Sequence, residues 1–368
     1  MKKKVENPER SRRVVFVGLS GGVDSAVSAA LLKKQGFEVV GVFIKTWHPD
    51  FLECNEEEER RDAMRVAAHL DIPFLTFNLE TVYKKEVADY MIREYRAGRT
   101  PNPDVMCNKE VKFGAFLKKA LSMGADYVAT GHYAKKYIGI SSDAEEIPMY
   151  LQKGKDPAKD QSYFLWTLTQ KQLSKIIFPI SSLKKVEVRK LAKKFGLPVS
   201  EKKDSQGICF LGAVDLKEFL KYYIKERKGR VVSESGKEIG HHNGVVFHTL
   251  GERHGFIITK KSPTDGPYYV VGKDAKKNIL IVSQDKEIKH SGILKNIRIE
   301  NINWISEVPK EHKTYTAQIR YHGEFLPCRV SARQDLAEVV FKKPVLVAPG
   351  QSCVIYNGNI CLGGGVII

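Results

Sequence analysis

The sequence lacks any closely spaced pair of cysteines, which excludes several kinds of site. Without a C-x-x-C motif the chain offers neither zinc-finger ligands nor the thiolates of an iron–sulfur cluster. We expect no disulfide framework either, because such frameworks belong mainly to small secreted domains. The six cysteines that are present stand alone, at Cys54, Cys107, Cys209, Cys328, Cys353 and Cys361.

Long apolar runs and acidic excess are missing as well. No run approaches the ~18 residues that cross a membrane, and residues 1–13 are basic without the apolar core of a secretory signal. We therefore expect a cytoplasmic protein with no membrane association. The 60 Lys and Arg against 43 Asp and Glu give a net charge of +17, which favours a polyanionic partner such as nucleic acid. A chain of 368 residues is long enough for two or three domains.

The most informative stretch is G-L-S-G-G-V-D-S, at residues 18–25. An apolar run precedes it, and apolar residues at helical spacing follow it, so it predicts a tight turn from a buried strand into a helix. Glycine lets backbone N–H groups approach a ligand closely, and a helix N-terminus attracts anions. We expect Ser20 and Ser25 to add hydroxyl donors and Asp24 to hold a metal ion on phosphates. The turn has neither the Lys-Ser/Thr ending of Walker A nor a G-x-G-x-x-G.

The first ~130 residues alternate strand-like and helical patterns, which predicts a parallel sheet covered on both faces. The strands are expected at 14–19, 38–44, 73–79 and 127–130, and the helices at 23–34, 56–70, 82–96 and 109–123. A hairpin is predicted at 136–140 with 149–153, an amphipathic helix from Asp160, and a basic helix at 184–195. From residue 229 onward the pattern is all β, with Gln318, Arg320 and His322 alternating along one strand.

Two cysteines lie in polar loops ahead of predicted helices. Cys107 follows two prolines, which we expect to prevent helix before about Lys109, and Cys209 follows two lysines. A thiol at a helix N-terminus beside a lysine has a lowered pKa and is a better nucleophile. The residues alone leave two possibilities for each, an inert buried thiol or a nucleophile. Packing accounts better for Cys328, Cys353 and Cys361, which have apolar neighbours, and Cys54 precedes an acidic helix start.

Further motifs extend the pattern over nearly the whole chain. G-R-T-P-N-P-D-V-M-C-N-K-E, A-T-G-H-Y-A, K-D-Q-S-Y-F-L, K-D-S-Q-G-I-C-F-L-G, H-T-L-G-E-R-H-G and P-G-Q-S-C-V-I-Y-N-G follow the glycine-rich turn in that order. The turn resembles the PP-loop of ATP pyrophosphatases, and the full set resembles the bacterial tRNA-specific 2-thiouridylase family from about Val14 to the C-terminus. Two departures are the basic extension before the first strand and Gly251–His254, where the family often has Gln and Lys.

The resemblance implies an α/β fold in three parts. A parallel-sheet PP-loop domain of the adenine nucleotide alpha hydrolase type is expected at 1–213, and it would bind ATP and carry the catalytic residues. A small, mainly β central domain is expected at 214–285 and a C-terminal β-barrel at 286–368.

The resemblance also assigns site residues. Cys107, Cys209 and Asp104 are the implied catalytic residues. The implied ATP-binding residues are Gly18, Leu19, Ser20, Gly21, Gly22, Val23, Asp24, Ser25, Ile44 and Gly131. The implied contacts to tRNA or its target base are Asn102, Pro103, Asp104, His132, Lys159, Asp160, Gln161, Arg320, Tyr321 and Gln351. No protein-held metal site is implied, and Mg²⁺ would accompany ATP.

The implied reaction replaces O2 of the wobble uridine of tRNA with sulfur. ATP adenylates the base, sulfur arrives as a persulfide on Cys209, and Cys107 attacks either that persulfide or the base. A sulfur-relay or cysteine desulfurase-type protein would be the donor, and the enzyme is expected to act as a monomer.

Three other interpretations fit parts of the sequence. A PP-loop ligase acting on a small molecule needs neither loop cysteine nor a basic β half. A tRNA thiolase that uses an iron–sulfur cluster needs closely spaced cysteines. A basic RNA-binding protein with a vestigial nucleotide loop would bind tRNA but release no pyrophosphate.

Overall fold

The computed structural model describes residues 12–52, 55–139, 148–204, 215–260, 265–284 and 293–368. The chain divides into two compact units. The first consists of the described residues of Met1–Lys84 and Met106–Ala213, and the second of those of Lys85–Val105 and Val214–Ile368. Among these residues, no helix combines the length and apolarity that a membrane span requires.

The α-helices are α1 Val23–Lys34, α2 Glu56–His69, α3 Glu80–Tyr83, α4 Asp89–Arg96, α5 Pro103–Met106, α6 Leu117–Ser122, α7 Gln170–Leu173, α8 Lys185–Lys194 and α9 Leu216–Lys221. Two π-helical segments, Lys84–Ala88 and Cys107–Phe116, and two 3₁₀ turns, Ser162–Leu165 and Val245–Phe247, complete the helical elements of the described residues.

The strands of the first unit are β1 Val14–Gly18, β2 Glu38–Lys45, β3 Phe74–Asn78, β4 Tyr127–Ala129, β5 Ala134–Ile138, β6 Met149–Lys153 and β7 Ile176–Ile177. Those of the second unit are β8 Gly229–Ser233, β9 Glu238–His242, β10 Ile257–Ile258, β11 Tyr269–Asp274, β12 Ile279–Ser283, β13 Ile293–Trp304, β14 Tyr315–Gln318, β15 Leu326–Ala332, β16 Leu336–Leu346, β17 Ser352–Asn357 and β18 Ile360–Ile367.

The first unit is built on a parallel sheet with strand order β3-β2-β1-β4-β7. Val14, Val15, Phe16 and Val17 are all buried, as expected for a central strand that is covered on both faces. Helices α1 and α8 contribute to the same apolar core as β1. The parallel sheet predicted from the alternating pattern is confirmed. Because the strands are parallel, β1, β2 and β4 all end at one edge of the sheet, which is where ligands bind in such folds.

Two local predictions about helices were wrong. The stretch after Asp160 forms only the short 3₁₀ turn Ser162–Leu165. The Asp160 carboxylate accepts from the Ser162 amide (3.2 Å) and hydroxyl (2.9 Å) at its start. Helix also begins before Lys109, at Pro103. Proline is tolerated at the first helical position, and the Asn102 side chain accepts a hydrogen bond from the Val105 amide at 3.2 Å, as an N-cap does.

The second unit contains two β structures. A mixed sheet has the order β10-β9-β8-β12-β11, around a core that includes Val231, Val270 and Leu280. Strands β13 to β18 form an antiparallel barrel in the order β13-β16-β15-β14-β17-β18, which closes where β13 pairs with β18. The predictions of a mainly β middle region and a C-terminal barrel are confirmed.

The cysteines of the barrel pack as predicted. Cys328 and Cys353 lie in the barrel core, and Cys361 is also buried. The predicted alternation of Gln318, Arg320 and His322 along one strand was wrong, because β14 ends at Gln318. A turn follows in which the Gly323 amide donates to the Arg320 carbonyl at 3.0 Å, and His322 has a φ of 57° that no strand permits.

Candidate nucleotide-binding site

The glycine-rich turn joins the buried end of β1 to the start of α1. Gly22 is the N-cap of α1 and no side chain caps the helix, so the first N–H groups of α1 have no side-chain acceptor of that kind. Gly21 has a φ of 71°, and a Cβ there would lie 2.5 Å from the Glu59 carbonyl oxygen. These features fit a turn that presents backbone donors to an anion.

Ser25 forms hydrogen bonds within this turn. It is buried, its Oγ accepts from the Ser20 amide at 3.2 Å, and it donates to the Gly22 carbonyl at 3.0 Å. A contact between the Ser25 hydroxyl and a nucleotide stays a prediction. Ser20 is exposed.

The segment after β4 lies directly against the turn. A Cβ on Gly131 would lie 2.8 Å from both the Asp24 carbonyl carbon and the Ser25 nitrogen. Real Cβ atoms do not approach backbone this closely, so only glycine allows the two segments to pack in this way. Ile44 is buried near the end of β2, and the Leu19 amide donates to the Val42 carbonyl at 2.8 Å. Gly131 thus lies at the turn, and its contact with ATP stays a prediction.

The carboxylate of Asp24 is held by two partners that the sequence did not reveal. Lys185 Nζ lies 2.8 Å from both Asp24 Oδ1 and Oδ2, and the Tyr133 hydroxyl donates to Oδ1 at 2.7 Å. Burial, and then the Asp24 charge, raises the pKa of Tyr133, so this hydroxyl keeps its proton. Lys185 is 161 residues from Asp24 in sequence, so no local pattern could have paired them.

Lys185 also contacts Asp204, on which three cations converge. Asp204 Oδ1 lies 2.9 Å from Lys185 Nζ and 2.5 Å from Arg189, and Oδ2 lies 2.8 Å from Lys159 Nζ. Burial raises the pKa of Asp204, but hydrogen bonds from Lys159 and Lys185 outweigh it and lower the pKa below the usual range. Asp204 is therefore ionised near neutral pH, and the cluster of Asp24, Asp204, Lys159, Lys185 and Arg189 carries a net positive charge.

Cys107 is fully buried at the first residue of the π-helical segment Cys107–Phe116. Because helix already begins at Pro103, the thiol does not stand ahead of a helix N-terminus as predicted. π-Helical turns are rare and recur at functional sites, a signal that the sequence analysis missed. Lys109, expected beside the thiol, pairs with Glu110 at 3.0 Å. Cys209 lies outside the described residues, so the structure does not test whether the two cysteines meet.

His132, predicted to contact tRNA, lies in the interior. Its Nδ1 is 2.7 Å from the Thr130 hydroxyl, and its ring packs against Phe113 and Phe178. Burial, and then the nearby Lys112 charge, lowers its pKa well below the usual value, so His132 is neutral. A direct contact between this side chain and RNA would require it to leave this packing.

The predicted tRNA contacts at 159–161 form hydrogen bonds and an ion pair within the first unit. Gln161 bonds Tyr133 twice, since its side chain accepts from the Tyr133 amide at 3.0 Å and its own amide donates to the Tyr133 carbonyl at 2.9 Å. Asp160 accepts from the Gly154 amide at 2.9 Å. Burial raises the pKa of Asp160, and these amide bonds oppose that rise. Lys159 pairs with Asp204 and stays partly exposed.

The remaining predicted tRNA contacts lie in the second unit. Arg320 is exposed and Tyr321 half-buried in the turn after β14. Gln351 Nε2 donates to the carbonyls of Thr100 and Pro101 at 2.9 and 3.1 Å, and the Thr100 amide donates to Pro349 at 2.8 Å. Gln351 therefore anchors the loop that leads to Asn102, Pro103 and Asp104.

Glu252, at the position where the sequence departs from the resembled family, has a role within the fold. It pairs with Lys217 and accepts from the Thr249 amide at 2.9 Å. Burial raises its pKa, but the nearby His248 ring and the hydrogen bond from Lys217 outweigh that effect and bring it to about 2. Over the described ranges, no cluster of three or more His, Cys, Asp or Glu side chains is arranged to hold a metal ion.

A parallel sheet with a glycine-rich, uncapped turn at the carboxyl end of its first strand defines a nucleotide-binding protein of the PP-loop class. Family models agree with the three-part architecture. The tRNA methyl transferase HUP domain matches residues 13–213, the tRNA methyl transferase PRC-barrel domain 217–284, and the aminomethyltransferase beta-barrel domain 294–367.

Curated relatives match along the whole length. The tRNA-specific 2-thiouridylases MnmA of Streptococcus thermophilus and Streptococcus pyogenes are 44% and 45% identical over 365 residues, covering 98% of this chain and 96% of theirs. The chain belongs to the tRNA-specific 2-thiouridylase family. Among solved structures, the U34-tRNA thiolase NcsA from Methanococcus maripaludis aligns over 58% of this chain and 64% of its own, at 16% identity and a TM-score of 0.35, too low to bear on function.

The packing at Gly131 predicts a specific effect on the turn. Gly131→Ala places a Cβ against the backbone of Asp24 and Ser25, so the turn must shift, and we expect ATP affinity to fall at least about tenfold, ~1.4 kcal/mol. Titration calorimetry with ATP measures this. Gly266→Ala is the control, because nothing lies within 4 Å of a Cβ at that position. Equal ATP affinity in the two variants would refute the close-packing argument.

The anchoring role of Gln351 predicts a local loss of stability. Gln351→Leu leaves the carbonyls of two buried residues, Thr100 and Pro101, without these donors, which costs about 1–3 kcal/mol. Hydrogen exchange at the Thr100 amide is expected to accelerate, while amides in β1 stay protected. A variant with wild-type exchange at Thr100 but weaker tRNA binding would show that Gln351 acts on RNA instead.

Proposed function

We propose that this chain catalyses ATP-dependent replacement of O2 by sulfur at the wobble uridine of tRNA. The observation that carries the proposal is the 44–45% identity, over 98% of the chain, to proteins named tRNA-specific 2-thiouridylase. The net charge of +17 suits a polyanionic substrate. The uncapped start of α1 and the positive cluster around Lys185 suit the phosphates of ATP.

The first step is adenylation of the base. The uridine O2 attacks the α-phosphorus of ATP, an O–P bond forms, and the bond to the bridging oxygen breaks with release of pyrophosphate. AMP is a much better leaving group than oxide, so C2 becomes open to attack. The backbone donors at Gly21, Gly22 and Val23 are assigned to the phosphates, where they would stabilise negative charge that develops there.

The second step delivers sulfur. A persulfide on Cys209 is the sulfur source, and Cys107 is the assisting thiol. If Cys107 attacks Cys209 Sγ, the S–S bond of the persulfide breaks, a Cys107–Cys209 disulfide forms and the released sulfide displaces AMP. A thiol reductant must then restore both cysteines. If Cys107 attacks C2 first, it displaces AMP, and the terminal persulfide sulfur then attacks C2 and releases the Cys107 thiolate. That thiolate attacks Cys209 Sγ, the S–S bond breaks, and 2-thiouridine leaves with a Cys107–Cys209 disulfide that a thiol reductant must restore. Asp104 is assigned to proton transfer or to orienting the uracil, with Asn102 and Pro103 lining the base pocket.

Partners and metal follow from this chemistry. The wobble base must leave its stack to reach the site, which costs least in an anticodon loop. Mg²⁺ is typically held by one or two carboxylates together with phosphates, and Asp24 supplies such a carboxylate beside the turn. The same proposal includes a sulfur donor of the sulfur-relay or cysteine desulfurase type. It also includes a monomeric, cytoplasmic enzyme whose domains meet at 213/214 and 285/286.

The decisive test is incubation of the full chain with ATP, Mg²⁺, a sulfide source and unmodified tRNA, followed by mass analysis of nucleosides. A uridine that has gained sulfur in place of oxygen, only when ATP is present, is the expected product. Absence of any modified nucleoside, with pyrophosphate released from ATP only when a small-molecule acceptor is added, would point to a ligase.

The two cysteines give a second prediction. Cys107→Ser and Cys209→Ser are each expected to abolish thiolation while ATP and tRNA binding persist, because hydroxyls neither carry a persulfide nor attack one. Cys353→Ser is the matched control for Cys107, since both thiols are completely buried. Cys353 lies in the barrel core and has no role in the proposed reaction, so its replacement should leave thiolation unchanged. Full thiolation by either loop variant would reject the assigned chemistry.

Asp24→Ala gives a third prediction. Removing this carboxylate is expected to lower ATP-dependent pyrophosphate release at least tenfold, on the order of 1.4 kcal/mol, because the phosphate site loses a group that can hold Mg²⁺. The readout is pyrophosphate formed with tRNA present. Asp335→Ala, at an exposed position in the barrel, should leave the rate unchanged. Unchanged ATP consumption by Asp24→Ala would contradict the assigned phosphate site.

A further inference from the structure

Lys185 breaks a local rule of helix construction. It is the first residue of α8, where the helix dipole favours acidic side chains and disfavours lysine. Its side chain is only 14% exposed, and it reaches two carboxylates from different parts of the chain. A residue that contradicts local preference needs a compensating interaction, and such residues are often functional.

The two carboxylates do not depend on Lys185 equally. Without Lys185, Asp204 would still form ion pairs with Lys159 and Arg189. For Asp24, Lys185 is the cation that pairs with the carboxylate among the described residues, and its Nζ lies 2.8 Å from both oxygens. Removing Lys185 would therefore leave Asp204 paired and Asp24 with only the neutral Tyr133 hydroxyl.

A purely structural role for Lys185 is already filled by its neighbours. The start of α8 is fixed by the Lys185 amide, which donates to Asp156 at 2.9 Å, and by Val188 and Ala192, which pack in the core with α1. Arg189 ties α8 to the chain that follows it, through the carbonyls of Ser200 and Lys202. The Nζ contacts of Lys185 are thus not needed to dock α8.

What the ammonium group does supply is charge compensation at the phosphate site. Asp24 belongs to the first turn of α1, next to the backbone donors that suit phosphate. An unpaired carboxylate there would repel the phosphates of ATP, and like charges at contact distance oppose binding strongly in a partly buried site. With Lys185 in contact, the local charge is compensated and the carboxylate is held in one orientation.

We propose that Lys185 is a positioning residue of the ATP site, which neutralises and orients Asp24 so that the phosphates of ATP can bind beside it. The proposal rests on the proposed use of ATP and goes beyond it by assigning a residue that none of the recognised motifs contains. Asp204, paired with three cations, holds Lys185 in place.

The test compares ATP with adenosine, which lacks phosphates. Lys185→Met is expected to weaken ATP binding roughly ten- to a hundredfold, the effect of one charge-assisted contact, and to leave adenosine binding unchanged. Lys185→Arg keeps the charge and should bind ATP nearly as well as the wild type. The control is Lys193→Met, the same change on the same helix, where Lys193 forms an exposed pair with Glu201.

A double variant separates charge from structure. With a chelator present, so that no divalent metal contributes, Asp24→Asn combined with Lys185→Met removes the uncompensated carboxylate and should bind ATP more tightly than Lys185→Met alone. The proposal is overturned if Lys185→Met binds ATP as the wild type does, or if it loses adenosine affinity to the same extent as ATP affinity. It is also overturned if adding Asp24→Asn to Lys185→Met does not raise the ATP affinity of that variant. Its failure is distinguishable from that of the proposed function, because wild-type ATP binding and tRNA thiolation are measured separately.

Discussion

The close approach of two backbone segments, the turn at Asp24–Ser25 and the segment after β4 at Gly131, is the constraint on which the site depends. A Cβ at Gly131 would lie 2.8 Å from the turn, so there is no room for a side chain between them. Parallel pairing of β1 with β4 brings the ends of both strands to the same edge. The same approach places Tyr133, two residues further on, where its hydroxyl reaches Asp24. Backbone packing therefore decides which side chains can surround the phosphate-binding turn.

The part of the site that the sequence predicted is the part determined by local pattern. The bounds of α1 were predicted correctly because apolar spacing and glycines specify a strand, a turn and a helix within a short stretch. The pairing of Asp24 with Lys185 could not be predicted, since it depends on α8 packing beside α1 across 161 residues. Local rules also failed where the same residue type is compatible with two different backbone structures. Pro103 begins a helix instead of preventing one, and His322 turns the chain where the alternation predicted a strand.

The two residue sets that the resemblance assigned to different substrates are bonded to one another. Lys159 contacts Asp204, which contacts Lys185, which contacts Asp24. Gln161 bonds the backbone of Tyr133, and the Tyr133 hydroxyl bonds Asp24. Both routes run from the segment expected to meet tRNA to the carboxylate expected to lie beside ATP. Charged and hydrogen-bonded groups in such a network have interdependent geometries, so a change at 159–161 bears on the ATP site as well.

This connection affects how loss of activity in these residues is interpreted. A variant of Lys159 removes one of the three cations from Asp204, and a variant of Gln161 releases the segment that carries Tyr133. Either change can weaken thiolation without any contact to RNA, because Asp24 and Lys185 depend on the same bonds. Arg320 is the contrasting case, since it is exposed in the turn after β14 in the other unit. These contacts imply that substitution of Arg320 lowers tRNA affinity alone, whereas substitutions at 159–161 lower ATP affinity as well.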